Sequence, residues 1–122
     1  MTSIQAKFDS ELEVFNTIQK DYSKAVAARS TLEAQLSENE AVKKEFEVLS
    51  AEAVVYKLIG PVLVKQERVE AADNVNKRID FITAEISRLE TQMKDLSEKQ
   101  EKKKEELVKI QQVAQQAAGA AK

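Results

Sequence analysis

Gly60-Pro61 dictates the folding options of this chain more than any other pair of residues. No other glycine or proline lies between Thr2 and Ala118, and the second glycine, Gly119, sits near the end. In a helix interior glycine costs about 1 kcal/mol and proline about 3 kcal/mol relative to alanine. One break at the middle of 122 residues leaves two long arms that can run as uninterrupted helices. With 33% charged residues and only 5% aromatics, the arms resemble coiled coil more than the layers of a globule.

Apolar residues in the first arm step by three and four. Phe8, Phe15, Tyr22, Arg29, Leu36 and Lys43 form one row; Glu11, Ile18, Ala25, Leu32, Asn39 and Phe46 form the other. This is a heptad seam with polar interruptions. Leu12, Val26, Val42 and Leu49 widen it on one side. Thr2 and Gln5 have the spacing of a capping box at a helix start. The pattern predicts a helix over 3–50. The second arm is more regular, with Val75, Ile79, Ile82, Ile86, Leu89, Met93, Leu96, Gln100, Lys103, Leu107, Ile110 and Ala114 in one seam. It predicts a helix over 67–117 and a flexible tail over 118–122.

Between the arms, residues 53–66 change character. Val54, Val55, Tyr56, Leu58 and Ile59 precede the Gly-Pro pair; Val62, Leu63 and Val64 follow it. β-branched and aromatic residues on both sides of a tight turn read as a β-hairpin. Pro61 has no N–H for a ladder and belongs in the turn. A hairpin with one wet face alternates apolar and polar residues, whereas this one is apolar nearly throughout, except for Lys57 and Lys65. Two strands alone are marginal in water, and two helices cannot cover both faces and both edges. The hairpin therefore needs other chains, and the eight apolar residues just named are the candidate assembly surface.

If the chain doubles back at Gly60-Pro61, the seams face each other. Phe46 then meets Val75, Leu36 meets Ile86, Ile18 meets Lys103 and Phe8 meets Val113. The fold class is mainly α: one domain over 1–122, a long antiparallel coiled-coil hairpin with a short β-hairpin at the turn. An arm of ~45 residues spans roughly 70 Å at 1.5 Å per residue. Around Tyr22–Gln100 and Ile18–Lys103 the layers turn polar. At the far end apolar residues return in excess, and Ile4, Phe8, Leu12, Leu107, Ile110 and Val113 are candidates for binding other apolar chains.

Chemistry is excluded by what is missing. The sequence has no histidine and no cysteine. An imidazole base, a thiolate nucleophile and the usual zinc ligand set are therefore absent. Two glycines cannot build a phosphate-cradling loop. Acid pairs such as Glu45/Glu47 read as solvated helix faces. Lys102-Lys103-Lys104 is bracketed by Glu98, Glu101, Glu105 and Glu106, which cancel its field, so no nucleic-acid surface is expected. The expectation is a non-enzymatic, cofactor-free and metal-free chain. The N-terminus lacks a signal-peptide core and no run approaches ~18 apolar residues, so a soluble, cytoplasmic protein without membrane contact is expected.

Several segments resemble one family. Val55 through Gln66, Asn76 through Ile86, and the set Gln35, Glu38, Asn39 and Val42 are similar to β-class prefoldin subunits. The likeness covers about residues 8–112, and Phe46 departs from the leucine of many relatives. It implies a heterohexamer of two α-class and four β-class subunits whose hairpins join in a β-barrel body. It further implies capture of unfolded chains, notably actin and tubulin, at the helix tips. Delivery to the cytosolic group II chaperonin without ATP completes the implied function. The alternative is a structural or tethering coiled coil of another hetero-oligomer. It would bind one partner, whereas a chaperone binds many unfolded chains.

Overall fold

A computed structural model describes residues 2–120 of the chain. Its elements are α1 (Thr2–Val48), β1 (Val55–Ile59), β2 (Val62–Gln66) and α2 (Arg68–Ala120). They divide into two compact units: Arg29–Arg88 forms one, and residues up to Ala28 together with those from Leu89 onward form the other.

Burial follows the heptad rows. Every seam residue expected on α2, from Val75 to Ala114, is buried or half-buried, and Val75, Ile82, Leu89 and Leu96 are the most enclosed. On α1 the deepest are Ile18 and Ala25, seven residues apart on the same stripe. Packing of one narrow stripe per helix accounts for so few buried residues. Lys43 breaks the pattern: it is exposed although it falls in a seam row. A long charged side chain can lay its stem along apolar surface and keep its ammonium in water. Lys43 stands at the edge of a cavity it shares with Phe46, Ala72 and Val75.

The polar seam residue Asn39 is satisfied locally. The Asn39 Nδ2 donates to the Gln35 carbonyl one turn back at 2.7 Å. Among the described residues no polar or charged residue is buried outright.

Three boundaries differ from the sequence reading. α1 ends at Val48, two residues early: the Leu49 amide bonds the Phe46 carbonyl three residues back at 3.4 Å, and the Leu49 and Ser50 carbonyls accept from the Arg68 side chain. α2 starts at Arg68, with the Ala71 amide donating to the Glu67 carbonyl at 2.9 Å. It runs past the expected end at Ala117 to Ala120, since alanine is the best helix former and one glycine costs only about 1 kcal/mol. Residues 118–120 are thus helical, while the rest of the expected tail, Ala121 and Lys122, lies outside the described residues. The Thr2 half of the expected capping box is also outside the described side chains; Gln5 Nε2 donates forward to Asp9 Oδ1 at 3.0 Å.

The two strands pair antiparallel, Val55 opposite Gln66 through Ile59 opposite Val62. That register leaves a two-residue loop. Gly60 has φ +59°, and proline's ring fixes a negative φ next to it. A positive then a negative φ is the pattern of a type II′ turn, whose twist matches a hairpin. A Cβ at Gly60 would meet nothing within 4 Å. Glycine is therefore required by the backbone angle and not by space.

Candidate functional site

The hairpin is the first candidate. Side chains alternate across a strand, so Val55, Lys57, Ile59, Val62, Val64 and Gln66 share one face. Tyr56, Leu58, Leu63 and Lys65 share the other. Each face is apolar apart from one lysine and, at the root, Gln66. Neither is covered: Leu58 is 67% and Leu63 64% exposed, and Tyr56, Ile59, Val62 and Val64 are also exposed. Of the eight expected assembly residues, only Val55 at the root is half-buried. Val54 is exposed but precedes β1 and belongs to the connection leading into it. Both outer edges of the two-stranded sheet are open as well. Unpaired edge groups and bare apolar faces together form a template for further strands.

Where the hairpin leaves the helices, an open cleft of about 590 Å³ is lined by Ala53–Val55 and Lys65–Val69. Arg68 stands in its wall. Its Nη1 donates to the Ser50 carbonyl at 2.6 Å and its Nη2 to the Leu49 carbonyl at 2.7 Å. The sequence reading missed Arg68. A signal existed: a cation in the first turn of a helix faces the positive end of the dipole, which is the wrong end for it.

The second candidate is the pair of helix ends in the other unit. Ile4, Phe8, Leu107 and Ile110 are half-buried. Ile4 and Phe8 share a cavity of about 180 Å³ with Ile110, Gln111 and Ala114, below the roughly 300–1,000 Å³ of small-molecule pockets. Phe8 thus lies by Ile110 and Ala114, the seam residues on either side of its expected partner Val113. Val113 is instead 52% exposed, and Leu12 is exposed too. Val108, among the apolar residues expected in excess at this end, and Val14, which the sequence reading left out, add to this outer apolar set. Both lie just off the seam rows.

Lys103, expected opposite Ile18, reaches an acid of α1 with its ammonium. Its Nζ donates to Glu11 Oε2 at 2.5 Å and to Glu106 Oε2 at 3.1 Å. The hydrogen bond from Lys103 holds the Glu11 carboxyl below the usual carboxylate range. The bond to Glu11, then that to Glu106, raises the Lys103 ammonium above the ordinary lysine value. Lys103 is therefore not part of a solvated basic face.

No group of acidic residues able to hold a metal occurs among the described residues, and no described helix is long and apolar enough to cross a membrane. What the arrangement offers is binding surface: a sheet with bare faces and edges, and helix ends with valine and leucine in water.

Comparison with known proteins places this geometry. A sequence model described as "Prefoldin subunit" matches residues 10–114. Prefoldin subunit 6 of Bos taurus is 50% identical over 117 residues, covering 96% of this chain and 91% of the relative. Prefoldin subunit 6 of Arabidopsis thaliana is 46% identical over 109 residues, covering 89% and 84%. Among solved structures, the prefoldin beta subunit from Thermococcus strain KS-1 superposes with a TM-score of 0.76 at 25% identity, covering 83% of this chain and 89% of that one. The family model spans α1, the hairpin and α2 alike, so the resemblance seen in the hairpin extends to nearly the whole chain, and the protein belongs to the prefoldin subunit family.

Proposed function

We propose that the chain is one subunit of a prefoldin heterohexamer that captures unfolded polypeptides at the free ends of its helices. In this reading it passes clients such as unfolded actin and tubulin to the cytosolic group II chaperonin, without ATP, in the cytoplasm. As a prefoldin subunit the chain is a non-enzymatic chaperone component that assembles with other prefoldin subunits. The finer steps rest on the physical character of its two surfaces.

The observation that carries the reading is the exposed hairpin: six large apolar side chains of the two strands stand in water on a sheet with two open edges. A stable protein does not leave such a sheet bare, so it belongs to an assembly. Support for client capture comes from Leu12, Val14, Val108 and Val113, all exposed on the helix ends of one unit. Exposed apolar groups of this kind suit a partner defined by exposed hydrophobicity and not by sequence.

Deletion of residues 1–12 and 108–122 tests the second half. The trimmed chain should enter a complex of normal subunit number and fail to suppress aggregation of unfolded actin. Protection equal to that of the full chain would place client binding elsewhere.

A further inference from the structure

We propose that Arg68 is a positioning residue for assembly: it clamps the root of the hairpin by tying the start of α2 to the end of α1. The proposal rests on the reading that the hairpin is the assembly element.

The last carbonyls of a helix have no partner within the helix and form the negative end of its dipole. A basic residue in the last turn commonly answers both needs, yet α1 has none there. The Leu49 amide reaches back to the Phe46 carbonyl at a long 3.4 Å. Leu49 and Ser50 follow the helix; the Ser50 carbonyl accepts from the Ala53 amide at 3.1 Å, and the guanidinium of Arg68 donates to it and to the Leu49 carbonyl.

Arg68 is an unfavourable choice by local rules. It is the first residue of α2, where a cation meets the positive dipole end and an acid is preferred. Glu70 fills the acidic role in that turn. The position of Arg68 makes sense through the carbonyls 18 and 19 residues earlier in the chain. Everything between them, including both strands and the Gly60-Pro61 turn, leaves the helices through this one crossing. A planar fork with two parallel donors fixes direction as well as distance, which an ammonium cannot do. Without it, the hairpin root would keep the Ala53–Ser50 backbone bond and its packing beside Phe46 and Ala71, but no side chain from α2 would hold the end of α1. With it, the edges of β1 and β2 are presented at one angle. Preorganisation of this kind raises affinity by lowering the ordering cost at binding.

The test uses the full chain co-assembled with its partner prefoldin subunits. Arg68→Met keeps the apolar stem and removes all five donors. Its affinity for the complex should fall roughly tenfold, the effect of losing about one charge-assisted hydrogen bond, while hydrogen exchange quickens at residues 49–54. Arg68→Lys, able to reach one carbonyl, should lie between the two. Val48→Lys separates clamping from capping, because it supplies a cation to the last turn of α1 at a residue already 78% exposed. Added to Arg68→Met, it should restore helix melting without restoring assembly. If the double variant assembles like the wild type, Arg68 is only a helix cap and the clamp is wrong. Unchanged assembly of Arg68→Met would overturn it equally. Leu63→Asp serves as the separate control on the hairpin itself: if that chain assembles normally, the underlying reading fails; if it does not, a normal Arg68→Met complex indicts the clamp alone.

Discussion

Lys103 and Glu11 are joined across the two helices by a bond between Nζ and Oε2 of 2.5 Å, although they are 92 residues apart in sequence. The pair sits among the polar layers that interrupt the seam and sets which residues of α1 and α2 lie opposite each other in that unit. A polar pair in a coiled-coil seam commonly selects register at some expense of stability.

Its pH dependence has a definite sign. The folded chain holds the Glu11 carboxyl low, so its stabilising effect is full above the ordinary glutamate range and disappears as pH falls through the lowered value. Lys103 is raised, so its effect is full below the ordinary lysine value and disappears as pH rises through the raised one. The melting temperature of Glu11→Gln should therefore fall below that of the wild type at pH 7, and the gap should close under acid. High salt should narrow it too, since both side chains are about one-quarter exposed. A gap that persists unchanged at low pH would mean the pair does not act through charge.

The turn is sensitive at one atom. Gly60→Ala places a Cβ at φ +59°, which costs roughly 1–2 kcal/mol. Gly60→Asn should cost less, because asparagine tolerates the left-handed region. Space is not the obstacle, since a Cβ there meets nothing within 4 Å. Both variants should keep their helix melting and lose assembly in that order, measured by titration with partner subunits.

Stability and client protection should separate by burial. Leu89 is 5% exposed, and Leu89→Ala should destabilise the helices by about 2–5 kcal/mol in denaturant unfolding. Val113→Ser should change stability by less than about 0.5 kcal/mol. It should instead weaken protection of an aggregating client, most clearly when combined with Val108→Ser. If Val113→Ser and Val108→Ser together leave protection intact, the exposed valines are not part of the capture surface.

Much of the fold was legible because few patterns compete with it. A single Gly-Pro break, a period that alternates three and four, and a β-branched cluster at the break leave little freedom, and the buried stripe follows the expected rows from Val75 to Ala114. Register was less legible. A heptad seam slipped by one step still pairs apolar with apolar, so the pattern could match Phe8 to Val113, and the structure sets it by Ile110 and Ala114 on either side of that residue. Lys103 bonds Glu11, and nothing in the period marks which acid a lysine will choose. Arg68 was marked only by its charge at the start of α2; its partners could not be read, since they are backbone carbonyls, which every residue has. The apolar residues of the hairpin were read as a group, and only the boundary at Val54 was misplaced, because a valine before a strand looks like a valine within it.

Assembly through the hairpin decides the rest, and Leu63 is the place to challenge it. Leu63 is 64% exposed in the isolated chain, so an aspartate there is solvated and harmless to the monomer. Buried against a partner strand without a counter-charge, the same aspartate would be strongly unfavourable. Native mass measurement of the wild type and of Leu63→Asp, each mixed with partner prefoldin subunits, should find the first in a complex of six chains and the second alone. A Leu63→Asp complex of normal mass would contradict assembly through this sheet.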